Sequence, residues 1–348
     1  MKLIIAKYKT LIAVIIVLFL SACVNNTPVN PEPSNAEIEN PTSSEIPATN
    51  EPIITETIIE SKTLFIYLIN SEMYLKNSEK FNAIVSKAEE LGYEVTQSSE
   101  LSESQQPISI VILFDPDDQT ISHFDTESTG QLIIVGEELI NTSQRPTTFI
   151  KASVADKLFI AGYFSSLITN DWRVGGLLPS TIYQNTAADL VFKNGVIYLC
   201  GRCLPTFGPI VNFPVTATLS NPDDLEGTMQ AYGEITNSRV NSLFIPSEYL
   251  YDDLITILKQ NNVTIISDSE LGSDQADWID YAVTDNLHDL LINVISKSPQ
   301  NEDVELIQVD YSFFSRSNNV SPGKITYISE MIENLKSGFI SPYQISLD

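Results

Sequence analysis

Apolar residues run along this chain in two rhythms. Short unbroken runs, at residues 63–69 (TLFIYLI), 109–114 (SIVILF) and 131–135 (QLIIV), alternate with stretches where apolar positions recur every three or four residues. Unbroken runs of strand length predict strands buried on both faces, as in a parallel sheet covered by helices. Residues 80–91 carry Phe81, Ile84, Val85, Ala88 and Leu91 at helical spacing and predict a helix that stops at Gly92. Shorter strands are expected at 93–96 and 148–151.

Residues 157–179 (KLFIAGYFSSLITNDWRVGGLLP) predict a helix, a polar turn at 169–173 and a buried strand from Val174. The small residues Ala161, Gly162, Ser165 and Ser166 fall where helical spacing lets a neighbouring backbone come close. The second half keeps the alternation. Helices are expected at 185–193, from 221–224 with Pro222 and the acids in the first turn, and at 249–260, 287–295 and 324–336; strands are expected at 195–199, 242–245, 263–266 and 278–283. A β-α-β rhythm of this kind predicts an α/β fold of two lobes, each a doubly wound parallel sheet flanked by helices.

Ligands of such sheets bind beyond the carboxyl ends of the strands. That rule nominates Asn70, Tyr74, Phe114, Asp115, Gly136, Pro179, Tyr198, Arg202, Pro246, Tyr249 and Asp268. The rings of Tyr74, Phe114, Tyr198 and Tyr249 suit stacking on a flat ligand, and Arg202 offers a planar fork to an anionic group. The plainer alternatives are core cover for the rings, with Tyr251, Trp172 and Trp278 among them, and a surface counter-ion role for Arg202.

The N-terminus changes the picture of where the protein works. Lys2, Lys7 and Lys9 precede an apolar run at 11–20, and Leu20-Ser21-Ala22-Cys23 follows at once. A basic start, an apolar core and small residues before a cut site predict a secretory signal peptide over residues 1–22. The apolar run is shorter than the roughly 20 residues of a membrane span. Leu-Ser-Ala-Cys resembles the bacterial lipobox, which implies lipidation (palmitate) of Cys23 and anchoring at the extracytoplasmic face of the cell membrane. Residues 23–62, rich in Asn, Pro, Thr, Ser and Glu, predict a disordered tether, and 63–348 the folded domain.

The chain has 19 basic and 45 acidic residues, a net charge of −26 that falls to −29 without the three leader lysines. Such a balance argues against nucleic acid and against charge-driven binding to anionic lipid. Cys200 and Cys203 form C-G-R-C, for which a local disulfide, free thiols or a redox pair remain open. With two histidines in the chain, the four ligands of a structural zinc site are not in view. Asp115, Asp117, Asp118, His123 and Asp125 are rich in oxygen ligands for a hard cation, but their spacing matches no EF-hand loop. Ser321-Pro322-Gly323-Lys324 meets the S-x-x-K spacing of serine acyl-enzymes with no fitting K-T-G partner, and no nucleophile elbow, P-loop or H-E-x-x-H occurs. No enzyme activity and no cofactor are expected.

Several segments bear a resemblance to one family. Phe159-Ile160-Ala161-Gly162-Tyr163 running into Arg173-Val174-Gly175, the 192–198 stretch FKNGVIY, the 263–270 stretch VTIISDSE and the 334–340 stretch NLKSGFI are similar to framework motifs of the basic membrane protein family of bacterial solute-binding lipoproteins. The resemblance spans 63–348 and implies the type I periplasmic-binding fold. It implies a first lobe of about 63–152 plus 268–299 and a second of about 153–267 plus 300–348, three crossings forming a hinge. It further implies a monomeric solute-binding protein of an ABC importer, with a small-molecule solute, a nucleoside first among them, and an ABC permease as partners. Family ligand motifs are replaced at 73–78 and 247–251, and Thr284 stands where the family has lysine. These losses open an alternative, a sensing or surface-interaction lipoprotein with a degenerate cleft. A redox or metal-handling role through Cys200 and Cys203 is a third.

Overall fold

The computed structural model describes residues 62–75, 78–101, 108–127, 130–139, 145–182, 185–208, 211–269, 277–297, 304–316 and 320–344. Cys23, the leader and the tether lie outside them.

In chain order the first part comprises β1 (Lys62–Tyr67), α1 (Ser71–Tyr74), α2 (Ser78–Glu90), β2 (Tyr93–Ser98), β3 (Ile110–Phe114), α3 (Asp118–Glu127), β4 (Gln131–Gly136) and β5 (Thr147–Lys151). The second comprises α4 (Val154–Ile168), β6 (Val174–Pro179), α5 (Ala188–Cys200), β7 (Val215–Leu219), α6 (Leu225–Thr236), β8 (Ser242–Phe244), α7 (Asp252–Gln260), β9 (Thr264–Ser267) and β10 (Tyr281–Asp285). The chain then returns through α8 (Leu287–Ser296), β11 (Val304–Gln308), β12 (Tyr311–Ser315) and α9 (Pro322–Lys336).

Two six-stranded sheets result, ordered β11-β5-β4-β3-β1-β2 and β12-β10-β9-β8-β6-β7. Each contains the 2-1-3-4-5 order of a doubly wound sheet, extended by one strand from the returning chain. The added β11 runs parallel to β5, and β12 antiparallel to β10. Strands β3 and β4 are buried along their whole length because helices cover both faces. Edge strand β2 alternates and stays half exposed. The fold is the two-lobed α/β architecture expected from the β-α-β rhythm.

Several local expectations differ. Residues 195–199 are not a strand: α5 continues unbroken to Cys200. Val196 and Ile197 favour a strand locally, but packing of the whole 188–200 segment against α4 overrides propensity. Strand β7 was not expected, since VTATL is a short, mixed edge segment, and neither were α3, β11 and β12. Strand β10 starts at Tyr281 rather than at Trp278, whose ring packs against the second-lobe core from the preceding turn. A 3-10 turn at Ser247–Tyr249 precedes α7, which begins at Asp252 rather than Tyr249. Because β10 belongs to the second sheet and β11 to the first, the later crossings fall near residues 286 and 309–310, not at about 268 and 299. Ser321 is the N-cap of α9 at an exposed helix start, no setting for a buried nucleophile.

Candidate functional site

Strand ends and crossings converge on one cleft. Its first-lobe wall holds Tyr74, Leu75, Lys80, Leu287 and His288; its second-lobe wall holds Lys157, Pro179, Ile182, Phe244, Pro246, Asp268 and Ser269. Ala152, Ser153, Val309 and Tyr311 of the crossings form its floor, and the space, counted out to solvent, is about 950 Å³. Among the nominated residues, Tyr74, Pro179, Pro246 and Asp268 line it.

Asn70, Phe114, Asp115 and Gly136 stand behind that lining. Asn70, at left-handed φ 61°, donates through Nδ2 to the carbonyls of Phe114 (3.3 Å) and Asp115 (3.2 Å), fixing the end of β3. Asp115 is itself left-handed, a conformation Asn and Asp tolerate better than most residues. Its carboxylate accepts from the Tyr74 hydroxyl and from the Glu137 amide (3.3 Å). A Cβ at Gly136 would sit 2.6 Å from Asp115 Oδ1, so only glycine leaves that carboxylate its place. Burial pushes the Asp115 pKa up to about 6; hydrogen bonds from Tyr74 and Glu137 oppose the shift, and the charges of Glu137 and Glu138 add to it. Phe114 stacks on the Tyr74 ring (5.9 Å) but is itself core.

The first crossing is held by residues the strand-end rule did not nominate. Ser153 caps α4, its Oγ accepting from Asp156 N at 2.9 Å. The Ser153-x-x-Asp156 spacing is a capping-box signal that marks this helix start in the sequence. Glu137 accepts from Ser153 Oγ (2.8 Å), from Ala155 N (3.3 Å) and from the Tyr343 hydroxyl. The buried Tyr311 hydroxyl donates to Ser153 O at 3.1 Å, and burial raises its pKa. Asp156 has a pKa raised to about 6 by burial and by Glu137, with Lys151 opposing.

On the second lobe Lys157 pairs with Asp285 at 2.9 Å. Burial alone would raise the Asp285 pKa, but Lys157, the Leu287 amide and Lys80 outweigh it and hold the carboxyl below its ordinary value. Asp268 Oδ1 accepts from Ser247 N (2.9 Å), tying the ends of β8 and β9.

The remaining nominations lie elsewhere. Tyr198 is on α5, 45% exposed, against Phe159 and Tyr163, because the segment is helix and has no strand end. Arg202 follows that helix, away from the cleft. Tyr249 is 4% exposed within the second-lobe core. Cys200 and Cys203 are joined in a disulfide just after α5, also off the cleft. Asp117 caps α3 through Thr120 N (2.7 Å), and its pKa is lowered by hydrogen bonds from Thr120. Among the described residues no three His, Cys, Asp or Glu side chains group to hold a metal.

No protein-family model and no curated protein matches the chain. Solved structures do share its fold. It is similar to an ABC transporter solute-binding protein of Aeropyrum pernix K1 (10% identity, TM-score 0.56), covering 83% of this chain and 94% of that one. It is similar to an ABC transporter solute-binding protein of Conexibacter woesei (11%, 0.54; 81% and 98%) and to a transcriptional activator of the comK gene from Bacillus halodurans (12%, 0.53; 81% and 99%). At these identities the likeness shows one thing: the chain has the two-lobed fold of periplasmic-binding proteins.

Proposed function

We propose that this protein is a lipid-anchored extracytoplasmic solute-binding protein of an ABC importer, which captures a small molecule between its lobes without chemistry on it. The observation that carries the reading is the cleft, walled by strand ends of one lobe and helix starts of the other across three crossings. A cleft of this kind gains contacts when the lobes approach, which gives a ligand the differential affinity that closure requires. Tyr74 and Phe244 supply rings and Asp268 a carboxylate, a set that suits a flat, hydroxylated solute such as a nucleoside. The Leu20-Ser21-Ala22-Cys23 signal supports the lipid anchor and a permease partner at the membrane.

A thermal-shift panel of nucleosides, nucleobases, amino acids and sugars tests this. A solute at a hundredfold excess over Kd stabilises the native state by about 2.7 kcal/mol. A nucleoside shift is the expected result; no shift across the panel turns the balance to a sensing or surface-interaction lipoprotein.

A further inference from the structure

We propose that the first crossing is a proton-operated latch: carboxylates from both lobes, Asp115 and Glu137 of the first and Asp156 of the second, share one site, so that proton uptake holds the lobes in this arrangement and proton loss loosens it. The inference concerns the hinge and does not depend on which solute the cleft takes.

The three residues are linked by a short chain of bonds, two of them made by the backbone amides of Glu137 and Asp156. Asp115 accepts from Glu137 N, Glu137 accepts from Ser153 Oγ, and Ser153 Oγ accepts from Asp156 N. The Tyr343 hydroxyl, from the segment after α9, closes onto the other Glu137 oxygen. Glu137 therefore ties the end of β4 to the start of α4 and to the C-terminal segment, which are second-lobe parts. All three bonds to Glu137 need its oxygens as acceptors.

The surrounding charges leave this cluster short of cations. From β5 comes Lys151, which acts on Asp156; from the β4 end comes Glu138, which adds to the repulsion on Asp115. Tyr74 faces Asp115, and Tyr311 of β12 faces Asp156. Lys157 and Lys80 act on Asp285, and Lys157 is committed to it by a 2.9 Å contact. With Asp156 ionised, its charge faces that of Glu137 across the lobe boundary, and moving the lobes apart relieves that pair; ionised Asp115 adds a further negative charge on the Glu137 side. With both protonated, Glu137 keeps its three donors unopposed. Burial and the Glu137 charge place the titration of both aspartates near pH 6.

Hydrogen exchange of the full chain at pH 5.5 and 7.5, corrected for intrinsic rates, tests the latch. Amides of residues 152–158 are expected to be about tenfold better protected at pH 5.5, a decade corresponding to one unit of linkage. Strand β6 should change little. The double variant Asp115→Asn/Asp156→Asn should keep the crossing protected at both pH values, and Tyr343→Phe, which removes one donor to Glu137 and none of the acids, should lower protection at both while keeping the pH response. Equal protection in the unaltered protein at the two pH values overturns the proposal, as does a tenfold response that survives in the double variant. Should that variant fail to fold, Asp156→Asn decides alone: an undiminished pH response there overturns the latch.

Discussion

Gly162 and Gly195 face each other's helices at contact distance. A Cβ on Gly162 would lie 2.2 Å from the Phe192 carbonyl oxygen, and one on Gly195 2.0 Å from that of Phe159. The two glycines are thus reciprocal: each opens the space into which the other helix's backbone fits. This contact joins α4, the first helix after the first crossing, to α5, and α4 also carries Lys157 to the cleft.

Gly162→Ala or Gly195→Ala is therefore expected to force the helices apart and cost about 3 kcal/mol, the upper range of overpacking. The pair of changes together should cost less than the sum, since one separation accommodates both methyl groups. Urea unfolding of the single and double variants measures this; full additivity would contradict the shared contact.

Lys157→Met leaves the Asp285 carboxylate buried without its partner. A loss of about 3 kcal/mol is expected, with much of it restored by adding Asp285→Asn. The sign with pH follows from the depressed Asp285 pKa. Its contribution is present above the unfolded value near 3.8 and is lost as pH falls through the lower folded value. Denaturant midpoints between pH 7 and 2.5, compared with Asp285→Asn, check it.

Asp156 carries the opposite sign. Its folded pKa of about 6 lies above the unfolded value, so its favourable contribution is complete below pH 4 and lost as pH rises through 6. Relative to Asp156→Asn, the unaltered protein should lose about 3 kcal/mol between pH 4 and 8, two pKa units at 1.36 kcal/mol each. A flat difference across that range would show the carboxyl to be solvated.

Asp268→Ala removes the carboxylate that joins the ends of β8 and β9 at the cleft wall. For whichever solute shifts the melting temperature of the unaltered protein, affinity should fall at least tenfold, by titration calorimetry. Unchanged affinity would place the solute elsewhere.

Cys203→Ser should leave solute affinity unchanged, because the disulfide lies off the cleft. Opening so short a loop costs no more than about 2 kcal/mol of unfolded-state constraint. An affinity change on reduction would instead tie the pair to function.

Much of the fold was legible in the chain. The unbroken runs at residues 64–67, 110–114 and 132–135 became fully buried strands, because a segment apolar at every position has no face to offer water. The small residues of 161–166 did mark a close backbone approach, though nothing local named α5 as the partner. Residues 195–199 failed for the same reason: a glycine among β-branched residues reads alike whether it ends a helix or receives one. The strand-end rule reached Pro179, Pro246 and Asp268 because those positions end or closely follow their strands, and Tyr74 because one short helical turn after β1 carries it back to the end of β3. It could not reach Lys80, His288 or Tyr311, which arrive at the cleft through helix starts and the returning chain.

The sequence alone determined the alternation of strands and helices and the acidic charge balance, since each is a property of neighbouring residues or of totals. Only the tertiary structure decided which late strand joins which sheet, which acids meet at the first crossing, and that Glu137 and Tyr343, 206 positions apart, share a hydrogen bond. Those are long-range contacts, and their energies depend on distance and burial that no local pattern encodes.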